Sequence, residues 1–174
     1  VDDVLTGSPR LDLQAVDDRE DVGGHPVDPA ELHVSRVLGQ DRGVSNEIDV
    51  VIEIPRGSRN KYEYDHTKHI MRLDRRLFTA TTYPADYGFV PNTLAGDGDP
   101  LDALVLLEDP VYPGVIVEAR PVGVLYMQDE AGEDAKLICV PPKEPRFAHI
   151  QDISELTPQL VEEIQHFFDV YKAL

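Results

Sequence analysis

Residues 115–127, with the sequence VIVEARPVGVLYM, form the longest run of strand-forming residues in the chain and decide its fold class. Apolar and β-branched residues dominate the run, which is typical of a β-strand with a buried face. The interruption Arg120-Pro121-Val122-Gly123 predicts a bend or a bulge, because proline removes a ladder donor and glycine weakens regular pairing. The sequence therefore predicts one long, bent strand here.

Shorter segments of the same kind lie on both sides of this run, and turn residues separate them. They cover residues 48–54, 62–64, 71–73, 101–107 and 136–140. Six or so short strands with no helix between them favour a closed antiparallel β-barrel over a doubly wound parallel sheet. We predict a mainly β (α+β) fold.

One helix is predicted after this set of strands. The Thr157 hydroxyl is placed to cap it and Pro158 to occupy its first position. Apolar residues recur at helical spacing on one face, namely Leu160, Ile164, Phe167 and Tyr171. That face is expected to pack on the barrel.

Composition bounds the class of protein. The chain has 174 residues, 41% of them hydrophobic, which suits one domain with a substantial core. Its net charge of −17 argues against a nucleic-acid partner. No run of about 18 apolar residues exists for a membrane span, so we expect a soluble, cytoplasmic protein. The single cysteine, Cys139, excludes an intrachain disulfide and is read as a half-buried strand thiol rather than a nucleophile.

Residues 1–46 differ from the rest of the chain. They hold ten acidic and four basic residues, scattered glycine and proline, and no sustained apolar period. We predict a disordered tail, in which residues 30–38 form at most a helical turn or two. The folded domain is predicted to cover residues 47–174.

Two acidic clusters stand in the second half of the chain. Asp97, Asp99 and Asp102 form the first, and Asp129 and Asp134 belong to the second. Carboxylates at this density repel one another unless cations lie between them. Hard oxygen ligands without thiolates or clustered histidines suit Mg²⁺, Mn²⁺ or Ca²⁺ better than Zn²⁺ or copper, and Mg²⁺ is the default expectation. Taken singly, each segment also suits an ordinary polar turn.

Basic residues are concentrated in one part of this acidic chain. Seven of them lie between positions 56 and 76: Arg56, Arg59, Lys61, Lys68, Arg72, Arg75 and Arg76. They suit a local anion-binding wall or, equally, a solvated edge-strand hairpin. Metal-binding aspartates beside such cations make a site for a compact polyanion such as phosphate or pyrophosphate.

A series of short motifs resembles the soluble inorganic pyrophosphatases of family I, in the same order along the chain. The matching segments are Glu53-Ile54-Pro55, Lys61-Tyr62-Glu63, Asp74-Arg75, residues 83–88 (YPADYG), residues 97–102 (DGDPLD), residues 120–123 (RPVG), residues 129–136 (DEAGEDAK) and His166-Phe167-Phe168 leading into Tyr171-Lys172. The resemblance covers roughly residues 47–174. It implies an OB-like five-stranded closed barrel with a flanking helix, and a cytoplasmic enzyme that hydrolyses pyrophosphate to two phosphates. It also implies Mg²⁺ as cofactor, with Mn²⁺ or Zn²⁺ as substitutes, and a homohexamer.

The resemblance also implies residue roles. Asp97, Asp102 and Asp134 would hold a first metal, with Asp102 bridging to a second; Asp129 and Asp134 would hold a metal that arrives with substrate; Glu63, helped by Glu53, would position another. Asp99 would be the general base. Lys61, Arg75, Lys136, Tyr171 and Lys172 would contact phosphate oxygens, and Tyr83 and Tyr87 would line the pocket and orient the nucleophile or base.

Blander interpretations of single residues stay open at this point. Tyr83 and Tyr87 also suit core aromatic positions, Asp74-Arg75 a surface ion pair, and Glu53 a solvent-facing strand position. His66 follows Glu63 by three residues and is left out of the predicted site.

Relatives of this family continue beyond the Tyr-Lys pair into a further strand and helix, whereas this sequence ends at Leu174 and has no tryptophan. We therefore expect Tyr171 and Lys172 to be loosely held, and activity to be weak if the natural chain ends there. Two alternatives remain: a truncated, non-catalytic remnant that binds metal and phosphate, and a metal-dependent hydrolase of a nucleotide or another phosphate ester. The second lacks a glycine-rich phosphate loop in the sequence.

Overall fold

The computed structural model describes residues 14–15, 33–38, 47–95, 98–129 and 132–171, without the side chains of 14–15, 33–38, 128–129 and 132–133. In this part of the chain the strands are β1 (Gln14–Ala15), β2 (His33–Leu38), β3 (Ile48–Ile54), β4 (Asn60–Asp65), β5 (Ile70–Arg76), β6 (Asp86–Phe89), β7 (Asp102–Val105), β8 (Ile116–Asp129) and β9 (Gly132–Val140). A 3-10 turn, Ile153–Glu155, precedes helix α1 (Pro158–Val170).

Seven of the described strands form one sheet in the order β1-β2-β8-β3-β6-β7-β9, and β4 and β5 form a separate hairpin. β9 pairs in parallel with β7 and antiparallel with β8. The parallel register places Asp102 opposite Lys136. Because cross-strand neighbours on one face lie close together, the pairing brings two predicted site residues into contact range.

The core explains why β3 has strict alternation in its first half. Ile48, Val50, Ile52 and Ile54 are buried, whereas Asp49 faces solvent. This period of two is that of a strand with one side against the core. β3 therefore anchors the sheet, and it carries Glu53 between two buried isoleucines.

The strand predictions are largely confirmed. Residues 48–54 match β3, and the segments predicted at 62–64, 71–73, 101–107, 115–127 and 136–140 overlap β4, β5, β7, β8 and β9. The predicted irregularity in β8 is present as a register shift between Pro121 and Gly123. β6 was not predicted, because its four residues, DYGF, show no clear alternation.

The prediction of a helical turn at residues 30–38 is wrong for the described part of that segment. His33–Leu38 is a strand that pairs antiparallel with residues 123–126 of β8. Backbone pairing with an existing edge gives the segment hydrogen bonds that a short isolated helix lacks. Most of the predicted tail lies outside the described residues, and its disorder stays a prediction.

The C-terminal helix is confirmed, with Pro158 in its first turn and Thr157 as N-cap. The Thr157 side chain makes no capping hydrogen bond, so that detail of the prediction is wrong. Ile164, Phe167 and Phe168 are the buried residues of the helix, and they join the core cluster beside Leu104 and Leu125. α1 thus covers the sheet and points its C-terminal aromatic residues toward the same region as β6.

Two further features concern accessibility. Cys139 is completely buried in β9, so the thiol is a core group, and burial raises its pKa. The nucleophile alternative is therefore excluded. Within the described ranges, no helix has the length and apolar character needed to cross a membrane.

Candidate active site

A cavity of about 400 Å³ lies between the β4–β5 hairpin, the sheet and the end of α1. Eleven of the fourteen predicted site residues line it: Glu53, Lys61, Glu63, Arg75, Tyr83, Tyr87, Asp99, Asp102, Asp134, Lys136 and Tyr171. Asp97 and Lys172 lie outside the described residues, as does the side chain of Asp129. Segments distant in sequence therefore converge on one polar cavity.

Lys136 is the most deeply buried cation of the site, with an exposed fraction of 1%. Its Nζ donates to Asp102 Oδ2 at 2.7 Å and to the two Asp134 oxygens at 2.7 and 2.9 Å. Burial lowers the pKa of Lys136, but the two carboxylates outweigh it and leave that pKa raised. The ammonium therefore stays charged, as burial beside two anions requires.

Aromatic rings surround this ammonium. Nζ lies 5.6 Å from the Tyr87 ring centroid and 5.4 Å from that of Phe168, within cation–π range. The Tyr87 hydroxyl donates to Asp102 Oδ2. Burial, followed by the charge of Asp102, raises the pKa of Tyr87 well above its ordinary value. Tyr87 therefore remains a neutral donor that orients the Asp102 carboxylate.

Tyr83 is buried and packs between the Tyr87 and Phe167 rings, with centroid distances of 5.5 and 4.7 Å. Burial raises its pKa. Tyr83 is thus both a core aromatic residue and a residue of the predicted pocket. The ring belongs to the core cluster, and the residue also lines the cavity.

Glu53 lies on β3 and accepts a hydrogen bond from the Tyr64 backbone N–H at 2.6 Å. Burial raises its pKa from 4.5 to about 7, against the lowering effect of that hydrogen bond. A partly buried carboxylate in a polar cavity is costly unless it is protonated or has a cationic partner. This environment does not suit the alternative of a simple solvent-facing residue.

The Glu53 pKa gives a prediction for the metal-free chain. Between pH 4.5 and about 7 the folded chain holds a proton that the unfolded chain has released, so stability falls as pH rises through this window. Glu53→Gln removes this titration and should flatten the decline. The measurement is urea unfolding in a chelator at about pH 5 and about pH 7.5.

Asp49→Asn is the control for this experiment, because Asp49 lies on the same strand and faces solvent. It should leave the pH dependence of wild type intact. Equal pH dependence in Glu53→Gln and wild type would contradict the assignment of the raised pKa to Glu53.

The β4–β5 hairpin supplies the remaining cations. Lys61 Nζ lies 2.5 Å from Glu63 Oε1 and 3.5 Å from Asp74 Oδ2, and Arg75 Nη1 lies 2.7 Å from the same Asp74 oxygen. Both cations line the cavity, although this hairpin also has exposed basic residues such as Arg72 and Arg76. The anion-wall and solvated-hairpin interpretations thus apply to different residues of one hairpin.

Tyr171 is held by more than the last helical turn. Its backbone N–H donates to the Phe167 carbonyl at 2.9 Å. Its ring stacks on Phe167 at 5.2 Å and meets the Phe168 ring edge to face at 5.5 Å. Tyr171 therefore has ring contacts in addition to its helical hydrogen bond, while the expectation that it is loosely held stays a prediction.

Sequence reasoning missed part of the cavity wall. His66, Tyr64 and Phe89 line it and contact one another, with His66 ring centroid distances of 5.0 Å to each of the other two. The sequence contains one signal for this part of the wall, because His66 follows the predicted site residue Glu63 by three positions. The contact with Phe89 depends on how the hairpin folds over the sheet, which the local sequence does not encode.

The cavity contains several carboxylate groups that could bind a divalent cation. Asp102 and Asp134 converge on one cation, the Lys136 ammonium, and all carboxylate donors in the cavity are hard oxygen ligands. No group of three His, Cys, Asp or Glu side chains is arranged to hold a metal in the described parts of the chain, which omit Asp97 and the Asp129 side chain. The carboxylate oxygens of Asp102 and Asp134 are of the chemical type that hard divalent ions prefer, but the described side chains alone do not form a metal site.

Comparison with known proteins decides the family. A sequence model of the family described as inorganic pyrophosphatase matches residues 50–174. The chain belongs to the inorganic pyrophosphatase family. It is 59% identical over 128 residues to the inorganic pyrophosphatase of Streptomyces coelicolor, covering 74% of this chain and 78% of that one. It is 64% identical over 126 residues to that of Leifsonia xyli subsp. xyli, covering 72% and 77%.

Solved structures agree with this family assignment. The inorganic pyrophosphatase from Thermus thermophilus superposes with a TM-score of 0.73 at 53% sequence identity, covering 78% of each chain. The predicted resemblance to this pyrophosphatase family is therefore confirmed. The mainly β architecture of this chain, with its one described helix, is similar to that structure over the part that superposes, while the individual residue roles stay predictions.

Proposed function

We propose that the cavity catalyses the Mg²⁺-dependent hydrolysis of pyrophosphate to two phosphates. The observation that carries the proposal is the convergence of Asp102, Asp134 and the buried Lys136 ammonium beside Lys61 and Arg75. A compact polyanionic substrate requires carboxylates that bind metal ions. It also requires cationic side chains that bind the phosphate oxygens. The naming of relatives at 59% and 64% identity as inorganic pyrophosphatases supports the same reaction.

The chain's own residues divide the work. Lys61, Arg75 and Lys136, with Tyr171 and Lys172, would bind and orient the phosphoryl groups, because charge-assisted hydrogen bonds to phosphate are strong and directional. Tyr87 holds the Asp102 carboxylate by its hydroxyl. Asp99 lines the cavity and would accept the proton of the attacking water.

The predicted cation ligands are Glu53, Glu63, Asp97, Asp102, Asp129 and Asp134. When bound there, Mg²⁺ ions would lower the pKa of a coordinated water and neutralise charge on the leaving phosphate. Mn²⁺ is proposed as a substitute because it accepts the same oxygen ligands as Mg²⁺, and Zn²⁺ because it also binds carboxylate oxygens, although usually fewer of them. Magnesium is preferred in this proposal because the available donors are carboxylates.

Several larger-scale features belong to the same proposal. Strands β8, β3, β6, β7 and β9 pair in cyclic order, which supports closure into an OB-like five-stranded barrel. We assign residues 47–174 to the catalytic domain and 1–46 to an N-terminal tail. The resemblance supports a cytoplasmic homohexamer, and exposed apolar side chains such as Phe78, Tyr112 and Ile116 are candidates for burial between subunits.

The alternatives have less support. A non-catalytic remnant is not favoured, because nearly all predicted site residues that are described line one cavity. A nucleotide or phosphate-ester hydrolase would need a specificity pocket for its organic group, whereas the described lining of this cavity is mainly charged and polar, with aromatic residues such as His66 and Phe89 on one wall. Competition by nucleotides in the pyrophosphate assay would favour that alternative.

Phosphate release from pyrophosphate, with and without Mg²⁺, tests the proposal. Asp99→Asn is expected to lower kcat by about a hundredfold or more, because an amide cannot accept the proton. Asp49→Asn, a solvent-facing change of the same kind, should retain wild-type activity. Absence of Mg²⁺-dependent turnover in the folded wild-type chain would refute the proposed reaction, and an active Asp99→Asn would refute the assignment of the base.

A further inference from the structure

Asp74 occupies an irregular position in the β4–β5 hairpin. Lys61 pairs with Arg75, but the next residue, Tyr62, pairs with Leu73, so Asp74 is an extra residue on β5. In such a bulge two consecutive residues oppose one residue of the partner strand. In a regular strand, by contrast, Asp74 and Arg75 would point to opposite faces. The bulge therefore explains why both side chains reach the Lys61 position.

The same bulge brings two like charges together. Lys61 and Arg75 are direct cross-strand partners, and such a pair of cations is mutually repulsive. One Asp74 oxygen, Oδ2, lies 2.7 Å from Arg75 Nη1 and 3.5 Å from Lys61 Nζ. A single carboxylate oxygen thus holds both cations that line this side of the cavity.

Asp74 itself is absent from the residues that line the cavity. Its side chain is 29% exposed, so the ion pairs add little to global stability. Their effect must instead be local, on where the ammonium and the guanidinium lie. Glu63 Oε1 forms an ion pair with Lys61 Nζ at 2.5 Å, but among the described residues Glu63 forms no ion pair with Arg75.

We propose that Asp74 is a positioning residue for substrate: from the β-bulge, its carboxylate holds Lys61 and Arg75 at the spacing that binds the phosphate oxygens of pyrophosphate. The proposal rests on the proposed function and deepens it. The amide of Asp74→Asn keeps the shape of the side chain and removes the charge that orients both cations.

Steady-state kinetics of the full chain in Mg²⁺ provide the first test. Asp74→Asn should raise KM for pyrophosphate about fivefold and change kcat less than about twofold. Asp74→Glu, which keeps the charge, should recover part of the loss. If Asp74 only diluted the positive charge of the cavity, its neutralisation would lower KM, so an unchanged or lower KM overturns the proposal.

Glu118→Gln is the matched control. Glu118 makes an ion pair of 2.7 Å with Lys143 and does not line the cavity, so the same loss of a carboxylate should leave KM unchanged. A second comparison places Asp74→Asn in an Arg75→Gln background. There its effect on KM should shrink, because one of its two cations is gone, and an undiminished effect would overturn the proposal.

A binding measurement separates this inference from the proposed reaction. In this measurement each protein is titrated with inorganic phosphate in the presence of Mg²⁺ and the heat of binding is recorded. Phosphate should bind severalfold more weakly to Asp74→Asn than to wild type or Glu118→Gln. If wild type binds phosphate but hydrolyses no pyrophosphate, the proposed reaction fails and the titration still decides the role of Asp74. Equal phosphate affinity in Asp74→Asn and wild type, or no phosphate binding to wild type, overturns the inference.

Discussion

Lys136→Met should lower kcat by at least about a hundredfold and lower the thermal midpoint of the metal-free chain by on the order of 10 °C. Methionine has a similar length and no charge. It therefore leaves Asp102 and Asp134 converging on a position that has lost its cation. Removing one partner of a buried ion pair costs about 3–5 kcal/mol, because the remaining charge stays desolvated.

The stability loss should depend on divalent cations. Mg²⁺ supplies positive charge to the same two carboxylates, so millimolar Mg²⁺ should reduce the difference in thermal midpoint between Lys136→Met and wild type. Activity should not recover in parallel, because the ammonium is also proposed to bind phosphate. Differential scanning calorimetry in chelator and in Mg²⁺, beside a phosphate-release assay, measures both effects.

Lys143→Met is the matched control for this substitution. Its Nζ also lies 2.7 Å from a carboxylate oxygen, that of Glu118, but the Lys143 side chain is 81% exposed. The same chemical change should therefore leave the thermal midpoint close to that of wild type. A thermal midpoint of Lys136→Met within 2 °C of wild type in chelator would show that the buried ammonium is not needed to balance the two aspartates.

The contrast between β3 and β6 shows what the sequence could predict of the fold. β3 alternates buried and exposed residues in its first half, so its period predicts both its type and its core face. β6 has four residues, and its first is Asp86, a buried carboxylate that accepts a hydrogen bond from the Val111 N–H. A buried polar residue in so short a strand breaks the pattern that local reasoning uses.

The site also combines features that the sequence could predict with features that it could not. The family resemblance implied that Lys136 is a phosphate ligand, but its bridge between Asp102 and Asp134 depends on the parallel pairing of β7 with β9. Likewise, the predicted surface ion pair between Asp74 and Arg75 is present, but the bulge that also places both residues opposite Lys61 was not predicted. Strand register is set by tertiary packing, and a single sequence gives little information about it.

Gly88→Ala should prevent stable folding. Gly88 pairs with Ile52 across β3 and β6, and an added Cβ would lie 1.9 Å from the Val51 carbonyl oxygen and 2.9 Å from the Ile52 Cα. These are backbone atoms of a buried strand, so no side-chain rotation relieves the overlap. The two strands would have to separate, which breaks ladder hydrogen bonds as well as core packing.

The expected cost of Gly88→Ala is about 4 kcal/mol or more, a large share of the roughly 5–15 kcal/mol that stabilises a typical domain. The consequence also reaches the cavity, because β6 carries Tyr87 and β3 carries Glu53. Any folded fraction should therefore show weakened activity in addition to a lower urea midpoint. Urea unfolding followed by circular dichroism measures the first effect, and phosphate release per folded molecule measures the second.

Gly123→Ala separates a backbone overlap from a general intolerance of alanine in strands. A Cβ at Gly123 would meet the partly exposed side chain of Ile153, with Cδ1 at 2.9 Å and Cβ and Cγ1 at 3.0 Å. Ile153 is the first residue of the short 3-10 turn, so the overlap requires a small shift of that turn and not separation of two core strands, and this substitution should cost about 1–2 kcal/mol. If Gly88→Ala and Gly123→Ala lower the free energy of unfolding equally, the close approach of β6 to β3 is not the reason that position 88 requires glycine.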